Sequence, residues 1–453
     1  MVGPLSYPQH VRAILVLGLP LIGSHMAQIA ISATDTVMLG WYSAEALAAV
    51  TLASSSVFFA LLIVGSGFAW AVMPMVSKAA AEGDEVRIRR VTRMGFWLVL
   101  LFAAAVLPMM IWSEGWLVAI GQAPKTAADA QGYLRIAGWA IVPGLLVMVL
   151  KGYLSALEHT PVILWVTVGA AVLNGLLNYA LIFGNFGAPE MGLAGAAIAT
   201  LTLHTASLVA LVLYARRHFP QHDLFTRVWR PDWPIFAEVW RLGAPISVTN
   251  FAESGLFAVS AMMMGAIGTL ELATHGVALN LAALTFMVHV GLSQAATVRA
   301  GRALGQGDIE ALKRGGRAAI FMSVVFAGLT IALFLSVPEF LIGLFISPTD
   351  PLKPEIVALG VGLLAMAALF QFADGAQVMA LGLLRGVQDT RVPMVYAAFS
   401  YWAVGFPVAY LLGFHTGLGP YGIWLGLVTG LALAGITLMW RFWAAAGWQA
   451  QTA

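Results

Sequence analysis

The chain has 453 residues, of which 60% are hydrophobic and only 10% charged, against roughly 25% charged in an average soluble domain. A net charge of +2 gives nucleic acid no large footprint to grip, and the absence of cysteine excludes disulfides, thiolate catalysis and cysteine-ligated metal sites. Water cannot be the main solvent of such a chain. Stretches of about 20 apolar residues recur along it, each long enough to cross a hydrocarbon core of about 30 Å. A short polar start runs to Arg12 and into a segment too long for a signal-peptide core, with no small-x-small cleavage site, so the first helix is expected to be retained.

Apolar runs bounded by charge or by Gly/Pro turns predict helices over 13–39, 46–73, 91–112, 132–157, 162–184 and 191–214. A second set is predicted over 241–267, 275–298, 317–346, 356–384, 393–414 and 421–443. The runs are continuously apolar, whereas outer-membrane strands alternate, so helices are expected rather than a barrel. With twelve spans and the N-terminus inside, 20 of the 23 Lys and Arg fall on inner segments and only Lys125, Arg135 and Lys353 on outer ones. That asymmetry is the positive-inside pattern and places both termini in the cytoplasm.

The two sets repeat each other. Leu17-Gly-Leu-Pro20 returns as Leu242-Gly-Ala-Pro245 at a displacement of 225, and Gly67, Lys78, Gly83-Asp84, Arg90 and Arg93 return as Gly291, Arg302, Gly307-Asp308, Arg314 and Arg317 at 224. Six helices per half is an even number, so the halves enter the membrane in the same direction, as parallel repeats do in carriers that rock two bundles about a central site. The expected fold is therefore an all-α polytopic membrane protein of twelve transmembrane helices in two parallel six-helix bundles. Residues 1–220 form one lobe, 221–240 a cytoplasmic linker and 241–453 the other lobe.

A carboxylate at mid-depth in a span costs about 2.5–3.5 kcal/mol on insertion scales, so it needs a partner or a function. Asp35 in helix 1, Glu253 in helix 7 and Asp374 in helix 10 stand out, with no Lys or Arg expected at comparable depth. Such acids are protonated, hydrated or cation-bound, which suits proton or sodium coupling; the bland alternative is a neutral acid hydrogen-bonded between helices. Asn174 and Asn178 lie one turn apart on helix 5, positioned to glue helices or to join Asp35. Thr200 and Thr202 on helix 6 are weaker candidates, because membrane threonines usually satisfy their own helix backbone. Pro20 and Pro245 each remove a helix hydrogen bond and favour a kink or a hinge in the helices that carry Asp35 and Glu253. No metalloprotease, nucleophile-elbow or phosphate-loop motif occurs, so an enzyme is not expected.

Twelve helices in two parallel repeats, the segment Ala33-Thr-Asp-Thr-Val-Met-Leu-Gly40 and the acids Glu253 and Asp374 together resemble the multidrug and toxic compound extrusion family, in its NorM-like bacterial branch. The likeness spans about residues 10–445. It implies a V-shaped, two-lobed monomer in the bacterial inner membrane that exports small cationic, amphipathic compounds in exchange for Na⁺ or H⁺, with no cofactor. It implies a cation site on Asp35, Asn174, Asn178, Thr200 and Thr202 in the first lobe and another on Glu253 and Asp374 in the second, either of which is a candidate for Na⁺. Relatives of this branch can carry a tyrosine one turn before the helix 10 acid; Phe370 stands there in this chain, without the hydroxyl that would serve a sodium ion. The alternative within the superfamily is a flippase for lipid-linked precursors, whose cavity would need basic residues to hold pyrophosphate.

Overall fold

The computed structural model describes residues 6–347 and 350–452. Among these residues twelve helices are long and apolar enough to cross a membrane. They are α1 (Tyr7–Tyr42), α2 (Ala44–Glu82), α3 (Glu85–Ile111), α4 (Pro124–Ala156), α5 (Thr160–Phe183), α6 (Gly192–His218), α7 (Trp233–Ile267), α8 (Thr269–Gly305), α9 (Ile309–Ser336), α10 (Lys353–Gly386), α11 (Arg391–Phe414) and α12 (Pro420–Ala444). The protein is thus a multi-pass membrane protein. Most helices outrun their apolar stretches because polar ends continue the same backbone until a cap intervenes. Gly83 (φ 73°) closes α2 and Asp84 opens α3 by accepting the Arg87 N–H at 2.8 Å; Gly307 (φ 66°) and Asp308, with the Ala311 N–H at 2.8 Å, repeat the device between α8 and α9. The predicted span 317–346 is cut at Ser336, beyond which Pro338 starts a separate short helix, Pro338–Gly343.

The chain packs as two compact units, residues 23–247 and residues 1–22 with 248–453. This differs from the division expected from sequence in two respects. The linker 221–240 and residues 241–247 of α7 belong to the first unit, and the opening of α1 belongs to the second. The linker is tied down: the Trp97 indole donates to Val228 O at 2.7 Å, Arg93 donates to the Leu224 and Asp223 carbonyls, and Arg90 and Arg87 hold Asp232 (2.5 Å) and Glu238 (2.6 Å). Its polar composition gives it charges to pair rather than freedom.

The exchange of helix ends has a steric cause. In the second unit α1 crosses α8 so closely that a Cβ on Gly291 would lie 2.5 Å from Ile22; in the first, α7 crosses α2 so closely that a Cβ on Gly67 would lie 2.3 Å from Ser247 Oγ. Gly18 and Gly243 complete the two crossings, opposite Leu292 and Phe68 respectively. Small residues that let backbones touch supply the packing that a bilayer cannot drive by hydrophobicity. Pro20 and Pro245 sit inside α1 and α7 within these crossings, so each helix passes from one unit to the other just beyond its proline. Two π-helical segments, Thr51–Phe58 in α2 and Phe399–Gly405 in α11, interrupt otherwise α-helical spans.

Candidate functional site

In the first unit the last third of α1 brings Asp35 against α5. Asn174 and Asn178, four residues apart and fully buried, both donate their amides to the same carboxylate oxygen, Asp35 Oδ1, at 2.7 and 2.6 Å. Two donors on one oxygen hold the carboxyl without adding positive charge. The carboxamide oxygens of both asparagines are buried with no hydrogen-bond partner among the described residues. Three oxygen-bearing side chains therefore converge with acceptor capacity to spare, which is what a proton or a hard cation requires.

Thr200 stands beside this cluster, but its hydroxyl donates to its own helix at Ala196 O (3.0 Å) and meets the Tyr133 hydroxyl at 3.3 Å. Thr202 is exposed; two residues further along a helix turn a side chain by about 200°, so it does not join Asp35. Tyr133 of α4 is a neighbour that the sequence did not single out. It is 2% exposed, lies within electrostatic reach of Asp35 and bonds Ser54 of the π-helical segment in α2. Nothing local marks it, because one buried tyrosine in an apolar span reads as core.

The second unit holds its acids differently. Asp374 of α10 is 2% exposed, and its Oδ1 is buried without a hydrogen-bond partner among the described residues. Glu253 of α7 is half-buried and within electrostatic reach of Asp374. Arg385, one residue from the end of α10, turns inward, donates to Asn250 Oδ1 at 3.1 Å and acts on Glu253. This corrects the expectation that no basic residue accompanies the acids: Arg385 reads as a loop-side topology charge in the sequence, yet α10 carries it to the same cluster. Gln377 and Tyr401 are fully buried beside these groups, and the Tyr401 hydroxyl, presented by the π-helical segment of α11, also has no hydrogen-bond partner among the described residues. Local π geometry of this kind is frequent at functional sites. Phe370 packs edge-on against Phe257 and Trp424, at centroid distances of 5.9 and 5.6 Å, as an apolar wall.

A second basic side chain is also engaged inside a bundle. Lys151 of α4 donates to Thr167 Oγ1 at 3.0 Å and to Ser24 Oγ at 3.4 Å, tying α4 to α5 and to α1 one turn beyond Pro20. Among the described residues no group of three or more His, Cys, Asp and Glu side chains could hold a metal ion. Any ion at Asp35 would have to use the neutral oxygens named above, whereas at Asp374 the Glu253 carboxylate is within electrostatic reach.

The family model described as MatE matches residues 20–180 and 245–411, one segment in each half. A curated relative named probable multidrug resistance protein NorM, from Rhizobium meliloti (strain 1021), is 47% identical over 439 residues, covering 96% of this chain and 94% of its own length. A multidrug resistance protein NorM from Burkholderia vietnamiensis is 36% identical over 442 residues, covering 97% and 95%. Among solved structures, one titled as an outward-facing conformation of a multidrug resistance MATE family transporter of the MOP superfamily superposes with a TM-score of 0.87 at 20% identity, covering 97% of this chain and 96% of that one. At that identity the superposition speaks for the fold.

Proposed function

The chain belongs to the multidrug and toxic compound extrusion family, and on that premise we propose that it is a secondary antiporter that exports cationic, amphipathic drugs or toxic organic compounds in exchange for Na⁺ or H⁺. The observation that carries the coupling is Asp35. It is clamped by two neutral amides whose own oxygens have no hydrogen-bond partner among the described residues. An ionised Asp35 attracts a cationic compound, and an arriving Na⁺ or H⁺ cancels the charge that held it. The same event loosens or tightens the Asn174 and Asn178 bonds and so biases α1 about Pro20. Glu253 and Asp374 form a second carboxylate site, in which Arg385 offsets one of the two charges. The reading includes alternating access by rocking bundles, a monomer in the bacterial inner membrane with both termini in the cytoplasm, no bound cofactor and no catalysis.

The test is ethidium efflux from energised membrane vesicles under a sodium gradient and under a pH gradient, each imposed alone, for the parent chain and Asp35→Asn. Efflux by the parent under either gradient, lost in the variant at equal membrane abundance, is the expected result. Normal efflux by Asp35→Asn would remove Asp35 from the coupling, and no efflux by the parent under either gradient would remove the antiport reading.

A further inference from the structure

The connection from α6 to α7, wholly within the first unit, carries a surface rich in arginine and tryptophan. Arg216 and Arg217 lie in the last turn of α6, Arg227 and Arg230 stand in the connection, and Arg241 lies eight residues into α7; all five are exposed. Among the described residues none of the five forms a salt bridge. The nearby carboxylates are already spent, Asp232 on Arg90 and Glu238 on Arg87.

Three tryptophans are interleaved with these cations. Trp229, Trp233 and Trp240 are 75, 62 and 50% exposed. On α7 the buried residues Ile235, Val239, Leu242 and Ile246 mark the inward face. Trp233 and Trp240, seven residues apart, share the opposite face with Arg241 beside them. Trp240 is steadied by stacking on Phe68 of α2 at 5.1 Å. With 35 residues α7 is about 52 Å long, whereas a hydrocarbon core of about 30 Å takes roughly 20 residues. The apolar stretch predicted for this helix starts at 241, so the turns from Trp233 to Trp240 fall at headgroup level, where an indole is at home.

Topology alone does not ask for this arrangement. The positive-inside pattern fixes the side on which cations lie and is silent on whether they are paired. Elsewhere in the same unit Lys78 pairs with Glu82 at 3.7 Å and Lys125 with Glu45 at 2.6 Å. The repeat also lacks it: at the displacement of 225, Trp233, Trp240 and Arg241 correspond to Pro8, Leu15 and Val16. The surface therefore belongs to one unit and was not inherited as part of the duplicated scaffold.

We propose that this surface binds the headgroups of anionic phospholipids, with Arg227, Arg230 and Arg241 meeting the phosphates and Trp229, Trp233 and Trp240 seated among the headgroups. Guanidinium groups hold phosphate oxygens in pairs, and clustered cations next to a span favour an anionic lipid over a zwitterionic one. The surface is independent of the transport reading, since none of its residues belongs to either carboxylate cluster.

The experiment titrates the purified full-length chain, in a neutral detergent, with phosphatidylglycerol and separately with phosphatidylcholine, and follows the midpoint of thermal unfolding. The test variant combines Arg227→Gln, Arg230→Gln and Arg241→Gln. A control of equal charge change in the second unit combines Arg12→Gln, Lys313→Gln and Arg391→Gln. The parent chain is expected to show a saturable rise with phosphatidylglycerol at an apparent affinity at least fivefold above that for phosphatidylcholine. The test variant should lose that preference and the control should keep it. A second measurement needs no change of charge: phosphatidylglycerol with brominated chains should quench the tryptophan fluorescence of the parent more than brominated phosphatidylcholine does, and Trp229→Phe with Trp233→Phe should reduce that excess. The proposal is overturned by equal responses to the two lipids in the parent, by a preference that survives in the test variant, by an equal loss in the control, or by an excess of quenching that is unchanged without Trp229 and Trp233.

Discussion

In the first unit one acid, Asp35, lies fifteen residues beyond Pro20 and is held by two uncharged amides. In the second, Glu253 lies eight residues beyond Pro245 and shares its surroundings with Asp374 and the Arg385 guanidinium. The acids are not repeat-equivalent: at the displacement of 225, Asp35 corresponds to Ser260 and Glu253 to Gln28, so they stand two turns apart along equivalent helices, about 10 Å. The scaffold, by contrast, is kept almost position for position, in Gly18 and Gly243, Gly67 and Gly291, and the caps Asp84 and Asp308. Duplication preserved what lets helices cross and released the polar residues to diverge. Counted formally, Asp35 alone and Glu253 with Asp374 and Arg385 each leave one negative charge, reached by different means.

Neutralising that charge is the largest expected effect. Asp35→Asn and Asp374→Asn are each expected to cut gradient-driven efflux at least tenfold. If Asp374→Asn instead left efflux intact while Asp35→Asn abolished it, the second cluster would be structural and the comparison would break there. Asn174→Ala with Asn178→Ala should act more mildly. Two hydrogen bonds to a charged group are worth about 1.5–3 kcal/mol each, and their loss frees Asp35 without discharging it. Several-fold lower efflux with a shifted pH or sodium dependence is expected, and unchanged ion dependence would count against the clamp.

Arg385 sharpens the comparison from the other side. Removing it as Arg385→Gln leaves two carboxylates together in a buried cluster, and like charges that cannot both ionise oppose the native arrangement. A loss of stability and of efflux is expected, with partial recovery in the double variant Arg385→Gln, Glu253→Gln. A double variant no better than the single would show that the two residues do not act as a pair.

Next in size are the two crossings. A Cβ on Gly67 meets Ser247 backbone N at 2.4 Å as well as its Oγ, whereas one on Gly291 first meets the flexible Ile22 Cγ1 at 2.5 Å and the backbone N only at 2.9 Å. Overpacking costs about 1–3 kcal/mol in general, and backbone yields less than a side chain. Gly67→Ala is therefore expected to lower the thermal midpoint more than Gly291→Ala, and the reverse order would show that the second crossing is the tighter one.

The spans, their number, the repeat and the three acids were legible because each rests on a signal that needs no tertiary context: an apolar run, a fixed displacement, a charge where charge is costly. Asn174 and Asn178 were legible for the same reason, as amides one turn apart among apolar neighbours. Arg385 and Lys151 were not, because a cation near a helix end reads as loop charge until the neighbouring helix shows where it points. Tyr133 and Tyr401 were hidden in another way. Each is an unremarkable aromatic in its own span, and only the folded structure shows it within electrostatic reach of an acid, Asp35 for Tyr133 and Glu253 with Asp374 for Tyr401. The exchange of helix ends between units was foreshadowed by Gly67 and Gly291, but a glycine does not say which helix approaches it.

The smallest expected effect concerns the linker, which is tied to the first unit. His222 lies outside the spans, packed beneath Tyr153 and Phe219, with its Nδ1 at 2.5 Å from the Tyr153 hydroxyl. Burial is the main cause that lowers its pKa below the ordinary 6.5; Glu85 opposes the shift and Arg89 adds to it. The folded state therefore favours the neutral ring. Its contribution is full above pH 6.5 and is lost as the pH falls from there through the lowered value. Because the chain has no native cysteine, a single Trp229→Cys reports on the linker through a spin label. The label should become more mobile between pH 7.5 and pH 5, and adding His222→Phe should flatten that response while keeping the aromatic packing. A response that persists in the His222→Phe background would move the titrating group elsewhere; Asp232, whose pKa is lowered chiefly by its hydrogen bond to Arg90, releases the linker only in more acid solution.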